Sequence, residues 1–105
     1  MRTFDYIGLP TDVVQPNERF VARTRVYVTD PHTHPYRVEW LRYLPESTAP
    51  ERLRTSVHIA FHVDSIEREA AGLKVLLPPF ASVAGHRVGF FETDDGAIVE
   101  FMEFS

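Results

Sequence analysis

Two glutamates stand in strand-like, otherwise apolar stretches of this 105-residue chain. Glu39 lies within Tyr36-Arg37-Val38-Glu39-Trp40-Leu41 and Glu100 within Ala97-Ile98-Val99-Glu100-Phe101-Met102. A carboxylate held in an apolar strand is costly unless something pairs with it, and a metal ion is one such partner. Each segment answers an earlier strand-like opening: Phe4-Asp5-Tyr6-Ile7-Gly8-Leu9 in the first half and Val57-His58-Ile59-Ala60-Phe61-His62-Val63 in the second. Between these anchors, Tyr27-Val28-Thr29-Asp30 aligns with Phe91-Glu92-Thr93-Asp94. Anchors in the same order imply a duplicated module and a site where the two copies meet. His58 and His62 share a strand face, but four residues of strand separate them by about 13 Å, too far for one ion. His62 therefore reads as a rim or surface residue.

The elements that must position these residues follow from periodicity and turn chemistry. Residues 3–9 alternate as a short strand, and 10–18, with Pro10, Asp12, Pro16 and Asn17, are turn material. Residues 20–28 alternate clearly, with Phe20, Ala22, Thr24, Val26 and Val28 on one face and Val21, Arg23, Arg25 and Tyr27 on the other. A loop over 30–35 and a strand to about 43 complete the first half, and 44–55, with Pro45 and Pro50, reads as a connector. In the second half, strand 57–63 leads to Asp64, an N-cap with Glu67 as its capping-box partner, and a short helix to Ala71 stopped by Gly72. Strand 74–77 is broken by Pro78-Pro79, and 80–86 form a loop. A hairpin of 87–92 and 97–104 then turns through Thr93-Asp94-Asp95-Gly96. The second half reads β-α-β-β-β, and the first reads as the same module with its helix reduced to a loop.

Composition bounds the function classes. The length suits one domain. Five His and no Cys exclude disulfides, thiolate metal sites and cysteine nucleophiles. Net charge is −4 and the basic residues are scattered, which removes a nucleic-acid footprint. No apolar run approaches membrane-spanning length, and with no apolar targeting region the expected compartment is the cytoplasm. Lys74 is the only lysine among the basic residues, and arginine suits bidentate contact with carboxylate or phosphate.

The run His58-Ile59-Ala60-Phe61-His62-Val63-Asp64 is followed by the short helix and Val75-Leu76-Leu77-Pro78-Pro79. With Gly85-x-Arg87-Val88-x-Phe90-Phe91 and Asp94-Asp95-Gly96-x-x-x-Glu100-Phe101, it resembles the glyoxalase / bleomycin-resistance / dioxygenase group, the vicinal oxygen chelate superfamily. The likeness is strong over 57–104 and weaker over 4–43. It implies an α+β fold in which two paired βαβββ-type modules form a curved mixed sheet around a central cavity, the first module lacking its helix. The boundaries would be a reduced module at 3–44, a linker at 45–55 and a complete module at 56–105. It also implies a divalent metal, often a homodimer, and a small-molecule ligand. Carried over, the metal ligands would be His58, Glu100 and Glu39, with Tyr6 where a His is usual. Imidazole plus two carboxylates suits Zn²⁺, Mn²⁺, Fe²⁺ or Ni²⁺.

The resemblance implies an isomerase or lyase in which Glu100 and Tyr6 act at the reacting centre. The alternative is a non-catalytic binding or resistance protein of the same fold. With Glu39 and Glu100 facing inward, the repeat's register makes Arg23, Arg25, Tyr27, Arg87 and Phe91 candidates for the same concave face. Of these, Arg23, Tyr27, Arg87 and Phe91 are taken as the contacts for a small oxyanionic substrate. Plainer readings stand beside each: Glu39 ion-paired with Arg23, Arg25 or Arg37, Glu100 as a rim carboxylate, Tyr6 as a structural tyrosine, and arginines that simply neutralise glutamates.

Overall fold

The computed structural model describes residues 1–82 and 85–104. Eight strands form one strongly curled mixed sheet: β1 (Arg2–Pro10), β2 (Arg19–Val21), β3 (Val26–Val28), β4 (Val38–Tyr43), β5 (His58–Val63), β6 (Lys74–Ala81), β7 (His86–Glu92) and β8 (Ile98–Phe104). Two short helices, α1 (Glu51–Arg54) and α2 (Ile66–Glu69), flank the sheet. The strand order β2-β3-β4-β1-β5-β8-β7-β6 reads the same from either edge when the halves are exchanged. In each half the opening strand runs parallel to the closing one, β1 with β4 and β5 with β8. The halves meet where β1 pairs antiparallel with β5. The fold expectation is thus met, and no helix lies between β1 and β2 in the first half.

Several local expectations change. Residues 20–28 are not one strand: 22–25 turn back, with Arg25 at φ 50, and β2 pairs with β3 as a tight hairpin. Alternation cannot distinguish a continuous strand from two short ones joined by a turn of similar polarity. The helix cap is Ser65, whose hydroxyl accepts from the Arg68 N–H, while Asp64 accepts from the chain's terminal amine. Gly72, at φ 83, stops the chain after α2 as expected. Pro78 and Pro79 do not end β6, because β6 is an edge strand whose register shifts between Leu77 and Phe80. The expected loop over 80–86 is therefore strand to Ala81 and again from His86, and 83–84 lie outside the described residues. The connector holds α1, whose Leu53 is buried against Phe90 and Ile98.

The two sheet faces do different work. On the convex face α2 covers Val63, Phe91, Val99 and Phe101, with Ile66 inserted among them. The concave face carries Val26, Val28 and Leu41 from the first half and Ala60, Val88 and Met102 from the second, with Tyr6 among the latter. No helix among the described residues is long and apolar enough to cross a membrane.

Candidate metal centre

The β4-β1-β5-β8 order sets four side chains on the concave face across the seam between halves. Gly8 of β1 lies level with Glu39 of β4 on one side and His58 of β5 on the other. Tyr6, two residues back, is level with Ala60, which is level with Glu100. One donor atom each from Glu39, His58 and Glu100 lie within 4.8 Å of one another. His58 is 1% and Glu100 5% exposed, and Glu39 is partly buried. These three residues, expected as ligands from the resemblance, come together.

Gly8 is the residue that sequence reasoning passed over. A Cβ there would sit 2.1 Å from Cε1 of His58 and 2.5 Å from Nε2, so the imidazole occupies the space a side chain would fill. A glycine inside a strand otherwise rich in side chains is the available signal for such close approach.

Tyr6 donates its hydroxyl to Oε1 of Glu100 at 2.8 Å, and Nε2 of His58 lies 3.2 Å from the same oxygen. Burial, then the charges of Glu100 and Glu39, push the Tyr6 phenol well above its usual range, so it stays a neutral donor. Burial and the same two glutamates also push Tyr43 up. Withdrawal from water, then the facing Glu100, raise the Glu39 carboxyl well above the ordinary carboxylate value. The centre is short of positive charge. One imidazole and two carboxylates are a donor set that fits a divalent ion: ligands at about 2.1 Å from one ion stand up to about 4.2 Å apart across it, close to the 4.8 Å within which these donor atoms lie.

The centre opens into a cavity of about 670 Å³ lined by Glu39, Glu100 and Tyr6 and walled by apolar side chains. Arg19 and Arg23 stand in its lining. Neither is in an ion pair among the described residues, and the Arg23 guanidinium lies 4.6 Å from the Phe80 ring centre. Of the expected substrate contacts only Arg23 is in the cavity lining. Tyr27 faces away, under the Arg42 guanidinium at 4.5 Å, because the 22–25 turn resets the alternation and sends Val26 and Val28 inward. Arg87 and Phe91 are corrected for a related reason. Glu100 pairs with Phe90 and Met102 with Val88, so those residues share the inner face. Arg87 instead pairs with Glu67 and Glu103, and Phe91 is buried beneath α2. Arg25 is an exposed turn residue.

His62, expected as a rim or surface residue, is partly exposed and also has a partner. Its Nε2 donates to Oδ2 of Asp5 at 2.7 Å, and it lines the same cavity. Asp5 is the extra residue of a bulge in β1 between Phe4 and Tyr6, and it is 2% exposed. Its Oδ1 accepts from His32 Nε2 at 2.8 Å and from the Arg37 guanidinium, and its backbone oxygen accepts from Arg37 Nε at 2.7 Å. Burial opposes ionisation of Asp5, but the hydrogen bonds and charges of His32 and His62 win and hold the carboxyl below its usual range.

No protein-family model matches this sequence, and a search of curated proteins finds no match. Among solved structures, the crystal structure of the hypothetical protein BH1468 from Bacillus halodurans C-125 is similar, with a TM-score of 0.69 and 18% identity. The likeness covers 99% of this chain and 95% of that one. At that identity it establishes a shared fold and nothing about the site.

Proposed function

We propose that this chain is a metal-dependent enzyme of the glyoxalase / bleomycin-resistance / dioxygenase type, an isomerase or lyase acting on a small oxyanionic molecule. The observation that carries the reading is the convergence of Glu39, His58 and Glu100 within 4.8 Å at the seam between the two halves. Two carboxyls facing each other, one buried and one partly buried, are unfavourable without a cation or a shared proton. A bound Zn²⁺, Mn²⁺, Fe²⁺ or Ni²⁺ would supply Lewis-acid stabilisation of an enolate or oxyanion. Glu39, His58 and Glu100 would hold it. Tyr6, a neutral phenol already hydrogen-bonded at Glu100, would orient that carboxylate and offer a proton at its hydroxyl. Arg23, with its guanidinium over Phe80 rather than against a carboxylate, would take the anionic end of the substrate. The apolar walls would exclude water from the reacting atoms.

The test is elemental analysis of protein purified without chelator or affinity nickel, beside His58→Ala and Glu100→Ala. About one divalent ion per chain, lost in both variants, is the expected result. If the protein comes metal-free and takes up none of Zn²⁺, Mn²⁺, Fe²⁺ and Ni²⁺ on titration, the metal reading fails. The cavity then stands as the pocket of a binding protein.

A further inference from the structure

We infer that the ligand of this cavity is an amphiphilic anion, with a carboxylate-like head on Arg23 and a hydrocarbon body of several carbon atoms along the walls. The inference rests on the reading of Arg23 as the anion contact, and none of it requires the metal. Size is the first observation. The cavity, of about 670 Å³, falls in the range that houses drug-sized ligands. An oxyanion of a few atoms would leave most of the wall against water. The wall is the second observation. Val26, Val28 and Leu41 line it from the first half, and Val88 and Met102 from the second. Such a surface is stabilised by covering hydrocarbon rather than water.

The third observation is charge. Among the described residues the arginines in ion pairs are Arg2, Arg37, Arg42, Arg52 and Arg87, and Arg23 is in none. Carboxyls of the lining are engaged elsewhere: Asp5 with Arg37, His32 and His62, Asp30 with the His32 N–H, and Glu100 with Tyr6. Arg23 stands in the turn after β2, one edge of the sheet, and Phe80 in β6, the other edge. The curl of the sheet brings those edges together, so that the guanidinium lies 4.6 Å from the Phe80 ring centre. The Arg23 backbone oxygen also accepts from the Thr48 hydroxyl at 3.0 Å, which ties the turn to the connector. A guanidinium braced on a ring face keeps its N–H edge for an oxyanion and has less side-chain freedom to lose on binding it. Arg19 lines the cavity too, level with Val28 in the register of β2 and β3. No aromatic ring braces it among the described residues, which makes Arg23 the anchor.

The experiment is isothermal titration calorimetry on protein freed of metal with EDTA, using butyrate, octanoate and octan-1-ol as probes. Each buried methylene should tighten binding about fourfold, so octanoate should bind on the order of 10²-fold more tightly than butyrate. Octan-1-ol, which lacks the charge, should bind about fivefold more weakly than octanoate. Arg23→Ala should weaken octanoate by about the same factor, a modest one because Arg23 is exposed, and leave octan-1-ol unchanged. Arg19→Ala should cost octanoate less, and Arg87→Ala, on the convex face, nothing. Octanoate no tighter than butyrate, octan-1-ol as tight as octanoate, or a loss in Arg19→Ala equal to that in Arg23→Ala would each overturn the inference. Elemental analysis decides the metal reading separately. Protein that takes up no metal yet binds this series as described keeps the amphiphilic ligand and loses the metal-dependent enzyme. Metal-loaded protein whose EDTA-treated form fails the series loses the amphiphilic ligand alone.

Discussion

Two carboxylate–imidazole clusters share the concave face, and their electrostatics are opposite. At Glu39, His58 and Glu100, two carboxyls compete for one imidazole and a phenol, and burial with mutual repulsion drives Glu39 upward. At Asp5, one carboxyl gathers two imidazoles and a guanidinium and stays ionised below the usual range. The same side-chain types thus give one centre that lacks positive charge and another that is already neutralised. The first suits a cation. The second has its charge settled. What separates them is backbone: a glycine in β1 opens room for His58, and a bulge in β1 swings Asp5 toward Arg37 and two imidazoles.

The largest effect is expected from removing that backbone difference at the first centre. Gly8→Ala puts a methyl group 2.1 Å from the His58 ring, so the imidazole must leave its place. We expect a loss of about 3 kcal/mol in denaturant stability and loss of metal uptake. The Asp5 cluster should keep its contacts with His32, His62 and Arg37. If Gly8→Ala binds metal as the native chain does, His58 is not a ligand.

Charge neutralisation should act with opposite sign at the two centres. Glu100→Gln keeps an oxygen for Tyr6 and His58 and removes the repulsion with Glu39, so the metal-free protein should gain about 1 kcal/mol while metal uptake is lost. Asp5→Asn leaves Arg37, His32 and His62 facing an amide and should cost about 2 kcal/mol, moderated because Arg37 and His32 are about half exposed. The gap between native protein and Asp5→Asn should also depend on pH. The folded carboxyl lies below its ordinary value of 3.8, so the unfolded chain takes up the proton first as pH falls. The stabilisation is full above about pH 5 and fades as pH drops through 3.8 toward the folded value. Urea melts at pH 7 and pH 3 check this: a gap that does not narrow at pH 3 means that Asp5 is not an ionised partner.

Much of the architecture was legible because it is carried by long, periodic strands and strong turn residues. The opening and closing strands of both halves, the Gly72 stop and the hairpin through Thr93-Asp94-Asp95-Gly96 all emerged, as did the absent first-half helix. What escaped was parity. Period-2 alternation says that Arg87 and Phe91 share a face, but not which face, since that depends on how many residues the turn consumes before Glu100. Tyr27 failed similarly, through a turn hidden inside an alternating run. The Asp5 bulge has no sequence signature, so the Asp5–His62 contact was out of reach. The meeting of Glu39, His58 and Glu100 was reachable through the family resemblance, which sets the two halves side by side as β1 and β5 now do.

The smallest effect is expected where that parity error lay. Arg87 bonds Glu67 at 2.7 Å and Glu103 at 3.0 Å on the convex face, with about half of its side chain in solvent. Such exposed pairs contribute little, being screened and entropically costly to hold. Glu103 also accepts from the Ile66 N–H, so α2 keeps its tie to β8 without Arg87. Arg87→Ala should therefore shift the urea midpoint slightly and leave metal uptake at the native level. Arg23→Ala is the paired variant, from the cavity side, and should weaken retention of a small anion such as phosphate without changing the fold. If Arg87→Ala rather than Arg23→Ala impairs anion binding, the convex face carries a site of its own, and the division of labour between the two faces is wrong.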